Sequence, residues 1–142
     1  MVERFHDYNF QMARLSKSYR YSVWLLQIYN HYRKHWCAAY MQEAGIQVIP
    51  TISWSTPDSY DWCFDGEPEG GTVAVSSVGC MNSKEKKALF LAGYEEMVRR
   101  LQPETIIFYG SVPEECMGNI VRIRAFTDKF NEALCEMRDT DE

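Results

Sequence analysis

Apolar side chains recur at three- and four-residue intervals from Tyr21 through Trp24, Leu25, Ile28, Tyr32 and Trp36 to Ala39, and neither Pro nor Gly interrupts them. That period predicts a long helix over residues 18–44. Gly45 follows as its left-handed cap. Residues 1–17 scatter Phe5, Tyr8 and Phe10 with weaker periodicity, and read as an arm, a short helix or a strand. The pattern then shortens. Residues 46–54 are rich in β-branched side chains and predict a strand, which Pro50 confines to an edge or bulges near its middle because proline cannot donate to a ladder. A turn at Ser55-Thr56-Pro57-Asp58 leads into a short helix through Tyr60 to Phe64, broken by Gly66, Pro68, Gly70 and Gly71.

The second predicted strand is Thr72-Val73-Ala74-Val75-Ser76-Ser77-Val78, closed by Gly79. Asn82 precedes Glu85 by three positions, the spacing of a capping box, so a helix is predicted from there to Pro103, with Leu89, Phe90, Tyr94, Met97, Val98 and Leu101 on its apolar side. Thr105-Ile106-Ile107-Phe108-Tyr109 forms a nearly continuous apolar run of the kind buried parallel strands show. Residues 119–124 alternate apolar and basic side chains, as a strand with one wet face does. A last helix is expected over 125–137, then a frayed acidic tail at 138–142. This order predicts an α/β fold: a small, mostly parallel sheet in a half-barrel or three-layer arrangement, with a long N-terminal helix. At 142 residues, with 46% hydrophobic side chains, a single domain over 1–142 is expected.

Charge narrows the function classes. The net charge of −5 argues against direct nucleic-acid binding, which needs clustered Lys and Arg. Its distribution is uneven: Asp58, Asp61, Asp65, Glu67 and Glu69 fall in residues 54–70 without a base, and the chain from Pro103 onward is acidic too. Solvated faces account for this, as does an acidic surface for a basic host protein or nucleoprotein. Five cysteines show neither a CxxC pair nor a secreted framework, which suits reduced thiols in a host-cell cytoplasm. No leader pattern or membrane-length apolar run is present, so no membrane association is expected. Four Trp, nine Tyr and seven Phe leave room for a self-associating aromatic patch, and with it a homo-oligomer.

In a parallel sheet the C-terminal strand ends share one edge, where ligands tend to bind. That edge is predicted to gather Ser53, Trp54, Ser76, Ser77, Gly79, Tyr109 and Gly110, with Asp65 nearby. Small and hydroxylated residues also suit strand-to-loop junctions without any ligand. The turn before the 82–103 helix has no phosphate-loop pattern. His31 and His35 stand four apart on the first helix and could offer two nitrogens to a metal, although no HExxH frame surrounds them and further ligands must come from elsewhere. Asp58, Asp61 and Asp65 at three- and four-residue spacing suit a cation or plain helix-dipole matching.

The succession Gly45-Ile46-Gln47-Val48-Ile49-Pro50-Thr51-Ile52-Ser53-Trp54, Phe64-Asp65-Gly66, Val73-Ala74-Val75-Ser76, Gly79-Cys80, Phe90-Leu91-Ala92-Gly93-Tyr94 and Ile106-Ile107-Phe108-Tyr109-Gly110 resembles an uncharacterised bacterial and phage family, domain of unknown function 4417, over roughly residues 24–124. The resemblance implies a prophage or mobile-element origin and a barrel-like or half-barrel core. Members of that family carry a longer N-terminal region ahead of the long helix than the 17 residues here, so a shortened relative is expected to bind rather than catalyse. The function expected on these grounds is a phage-type accessory protein that binds and inhibits a host macromolecule, for example in counter-defence as an anti-CRISPR. The alternative is a small α/β enzyme or nucleotide-binding protein with its site at the strand-end edge.

Overall fold

The computed structural model describes residues 17–126. Helix α1 spans Lys17–Glu43, and Gly45 (φ +77°) turns the chain out of it. There the Gly45 N–H donates to the Gln42 carbonyl at 2.9 Å and the Ile46 N–H to that of Met41 at 3.0 Å, satisfying carbonyls that the helix end leaves open. A 3₁₀ turn, Pro57–Asp61, follows. Then come β1 (Thr72–Ser76), α2 (Lys84–Leu101), β2 (Thr105–Tyr109) and β3 (Ile120–Ile123).

All three strands are parallel and lie in the order β1-β2-β3. The predicted strand over 46–54 reduces to one bridge, Thr51 beside Ala74. Ala74 donates to the Pro50 carbonyl at 2.9 Å and Ile52 donates to the Ala74 carbonyl at 2.8 Å. Pro50 has no N–H with which to extend that ladder. This bridge adds a short fourth rung outside β1, so the sheet grows in one direction with the chain, as a segment of a barrel does.

The helix predicted from Asn82 begins one residue later. Ser83 is the N-cap, its Oγ accepting from the Lys86 N–H at 3.2 Å. The strand at 119–124 also differs from expectation: Val121 and Ile123 are 50% and 44% exposed, because they stand beside Ile107 and Tyr109 on the face of the sheet opposite the one that Ile106 and Phe108 turn to α2. Phe126 is the last described residue, so the rest of the helix expected over 125–137, the tail and residues 1–16 lie outside the described residues.

The core fills the space between the sheet and α2. Val73 and Val75 from β1 and Ile106 and Phe108 from β2 meet Phe90, Tyr94, Met97 and Leu101 of α2, with Ile52, Trp54, Cys63 and Phe64 closing one end. The spacing of the α2 residues puts them on one helix face. Gly93 lies on that face and lets the Trp54 indole press against the α2 backbone: a Cβ there would stand 2.0 Å from Nε1.

No described side chain of α1 belongs to this core. Its apolar residues point outward instead, with Leu25, Tyr29, Tyr32, Trp36 and Tyr40 between 56% and 66% exposed. Gln27, His31, Lys34 and His35 form the side turned toward the domain.

Candidate functional site

The polar side of α1 meets the loop at residues 65–67. His31 and His35, one helical turn apart, bring their Nε2 atoms to 3.2 Å, with the rings edge to face and their centroids 4.5 Å apart. His35 Nε2 lies 3.3 Å from Glu67 Oε1, and His31 Nε2 lies 3.1 Å from the Asp65 carbonyl oxygen. Gly66 (φ +73°) curls the loop around the imidazoles, and a Cβ there would stand 3.3 Å from His35 Cε1. Trp62 packs edge-on against His31 at 5.5 Å.

The Glu67 side chain is fully buried and paired with the Lys34 ammonium, which also donates to the Thr51 carbonyl at 3.2 Å. Its second oxygen, Oε2, is buried without a hydrogen-bond partner. Burial, and then the neighbouring Lys34 charge, push the His31 pKa below 6.5, so at neutral pH its imidazole is in the neutral form that ligates metals. Among the described residues, His31, His35 and Glu67 are the group whose donor atoms could hold a metal ion, lying within 4.8 Å of one another. The i, i+4 spacing announced the two histidines. Glu67 was hidden in an acidic run, and only the fold separates it from its exposed neighbours.

At the strand-end edge, Ser53, Trp54 and Ser76 converge with Thr51, Ile52, Val78 and Phe90 on a cleft of about 10 Å³, room for about one water. The other predicted edge residues do not line it. Ser77 Oγ is buried and donates to the Ser111 carbonyl at 2.7 Å. Gly79 (φ +79°) makes a turn. Tyr109 Oη accepts from the Phe126 N–H at 2.8 Å, and the Gly110 N–H donates to the Ile123 carbonyl at 2.9 Å. Asp65 belongs to the α1 side. Asp58, Asp61 and Asp65 are exposed, whereas Glu67 is spent internally.

The third surface is the outer side of α1. Leu25, Tyr29, Tyr32, Trp36 and Tyr40 follow one another at four, three, four and four residues, the spacing of a helix-to-helix seam. Trp36 and Tyr40 stack with centroids 6.0 Å apart, and the Arg33 guanidinium lies 5.8 Å from the Tyr29 ring centre.

The family model of domain of unknown function DUF4417 matches residues 8–127. The chain belongs to this family. It is similar to the "Gene 1 protein" of Mycobacterium phage D29, 53% identical over 83 residues that cover 58% of this chain and 31% of the relative. It is likewise similar to the "Gene 1 protein" of Mycobacterium phage L5, 50% identical over 86 residues covering 61% of this chain and 38% of the relative. The match therefore spans about a third of the length of these phage proteins. No solved structure matches. No helix among the described residues is long and apolar enough to cross a membrane.

Proposed function

We propose that this member of a phage-associated family acts by docking onto a host protein and inhibiting it, with the outer side of α1 as the docking surface. The observation that carries the reading is the inversion of α1, whose polar residues face its own domain while its aromatic ones face outward. Tyr29, Tyr32, Trp36 and Tyr40, at 56–66% exposure, leave about 500 Å² of aromatic surface bare on the usual area of such side chains. Leu25 and Leu26 extend it toward the ~800 Å² per partner of a standard protein interface.

The seam spacing supports one kind of occupant, an amphipathic helix whose apolar residues interlock with the α1 side chains. A cleft with room for one water supports no comparable reading at the strand-end edge. Counter-defence is one setting in which such an inhibitor works, with a host nucleoprotein as its target.

The test is cross-linking of the purified chain in host extract, identification of the captured protein, and assay of that protein's own activity with the wild type and with Tyr32→Glu/Trp36→Glu. Both sites are exposed, so the variant is expected to fold. Inhibition of the captured protein that weakens at least about tenfold in the variant supports the reading, since central aromatic anchors carry most binding energy. Equal inhibition by the variant refutes it. So does light scattering that shows a stable homodimer abolished by the same substitutions, because a second copy would then occupy the seam.

A further inference from the structure

Three contacts link the atoms around His31 and His35, and no placement of protons satisfies them together. The Asp65 carbonyl only accepts, so its contact requires a proton on His31 Nε2. Glu67 Oε1, with the Lys34 ammonium on it, also accepts, so its contact requires a proton on His35 Nε2. The contact between the two Nε2 atoms at 3.2 Å tolerates one proton and not two. Whichever way the tautomers are set, one of the three faces lone pair to lone pair or N–H to N–H.

A cation among these atoms removes the conflict, because every one of them can present a lone pair to it. Two of the three donor separations match such an ion, and all three donor atoms lie within 4.8 Å of one another. Ligands at zinc–nitrogen and zinc–oxygen lengths of about 2.0–2.1 Å in a tetrahedron stand about 3.3 Å from one another. The His31–His35 and His35–Glu67 separations are 3.2 Å and 3.3 Å. Two imidazoles and a carboxylate are a donor set for zinc and its first-row neighbours rather than for calcium or magnesium.

We propose that His31 Nε2, His35 Nε2 and the Glu67 carboxylate bind one zinc-like divalent cation, with a water in the fourth position held by the Asp65 carbonyl, and that this ion fastens α1 to the domain. Among the described residues, α1 is also held by Ser55 Oγ donating to Gln27 Oε1 at 3.3 Å, by Lys34 donating to Thr51 and by Trp62 against His31. Glu67 Oε2, buried and unpartnered, gives the carboxylate a second oxygen, so Lys34 and the ion can share it. Lys34 sets the affinity, because its ammonium competes for the carboxylate and repels the ion.

The experiment is calorimetric titration of the untagged, chelator-stripped chain with Zn²⁺, paralleled by the visible spectrum of Co²⁺. Saturation at one ion per chain is expected, with a tetrahedral Co²⁺ spectrum. Affinity should fall at least about tenfold in His31→Ala, in His35→Ala and in the near-isosteric Glu67→Gln, with folding of each variant checked by circular dichroism. Lys34→Met should bind more tightly, a result that a purely structural Lys34–Glu67 pair does not produce. Zn²⁺ should also raise the melting temperature and slow amide exchange along α1. The proposal is overturned if the wild type takes up no stoichiometric ion. It is equally overturned if binding persists undiminished in folded His31→Ala and His35→Ala variants.

Discussion

Gly93→Ala isolates the contact that closes the core. In an exposed helix interior the substitution stabilises by about 1 kcal/mol, because alanine loses less backbone entropy than glycine. Here the new Cβ would sit 2.0 Å from Trp54 Nε1, 2.1 Å from Cδ1 and 2.5 Å from Cε2, so the indole or the helix must move. The indole has nowhere to go: Phe90 and Phe64 lie at centroid distances of 5.4 Å and 6.4 Å, and the adjoining cleft holds about 10 Å³. Overpacking of this severity costs ~3 kcal/mol or more, which leaves a net loss of about 2 kcal/mol after the propensity gain. For a chain of this size that is a melting temperature lower by roughly 6–8 °C, measured by circular dichroism. Gly93→Ala/Trp54→Phe, which removes the atoms in conflict, should lose less than the two single losses added together. A Gly93→Ala variant as stable as the wild type would refute the packing of Trp54 on α2.

Ser83→Ala should cost ~1 kcal/mol through the lost cap and Asn82→Ala close to nothing, read by urea denaturation; the reverse order would move the cap to Asn82. The Arg99 and Arg100 guanidinium groups hold the Glu96 carboxyl at about 2. That contribution is present above pH ~4.5 and is lost as pH falls toward 2. The pair is at the surface, so Glu96→Gln should cost less than ~1 kcal/mol at pH 7. Arg100→Ala should cost more, because Arg100 also donates to the Tyr60 carbonyl at 2.7 Å and lies over the Phe64 ring. Burial pushes the Cys63 thiol up to about 12 and that of Cys116 to about 11, while Cys37 is exposed. Peptide mapping after alkylation of the native chain at pH 8 should find Cys37 modified well ahead of Cys63, Cys80 and Cys116. The thiol contribution to stability is full below the unfolded-state pKa of ~8.5 and declines as pH rises toward 11–12.

The elements were legible because local rules decide them. An uninterrupted 3.6-residue period gave α1, the β-branched and apolar runs gave β1 and β2, and Gly45 and Pro103 marked ends that any fold would respect. The resemblance to the DUF4417 family rests on the same segments, and so it too was readable before the fold. Pro50 pointed to an edge or a bulge, and the segment does lie at the edge of the sheet, reduced to one bridge beside β1. The direction in which α1 faces was beyond the sequence, since a helical period states that a helix has two sides and leaves open which side meets the domain. Only the packing shows that Tyr29, Tyr32, Trp36 and Tyr40 point away. Glu67 makes the same case in charge. In the sequence it is one of five acids between residues 54 and 70, and the turn at Gly66 sends it alone inward to Lys34 and His35. Sequence spacing could pair His31 with His35 because one helix carries both, whereas their third partner arrives from more than thirty residues away, across a distance that only tertiary contacts can close.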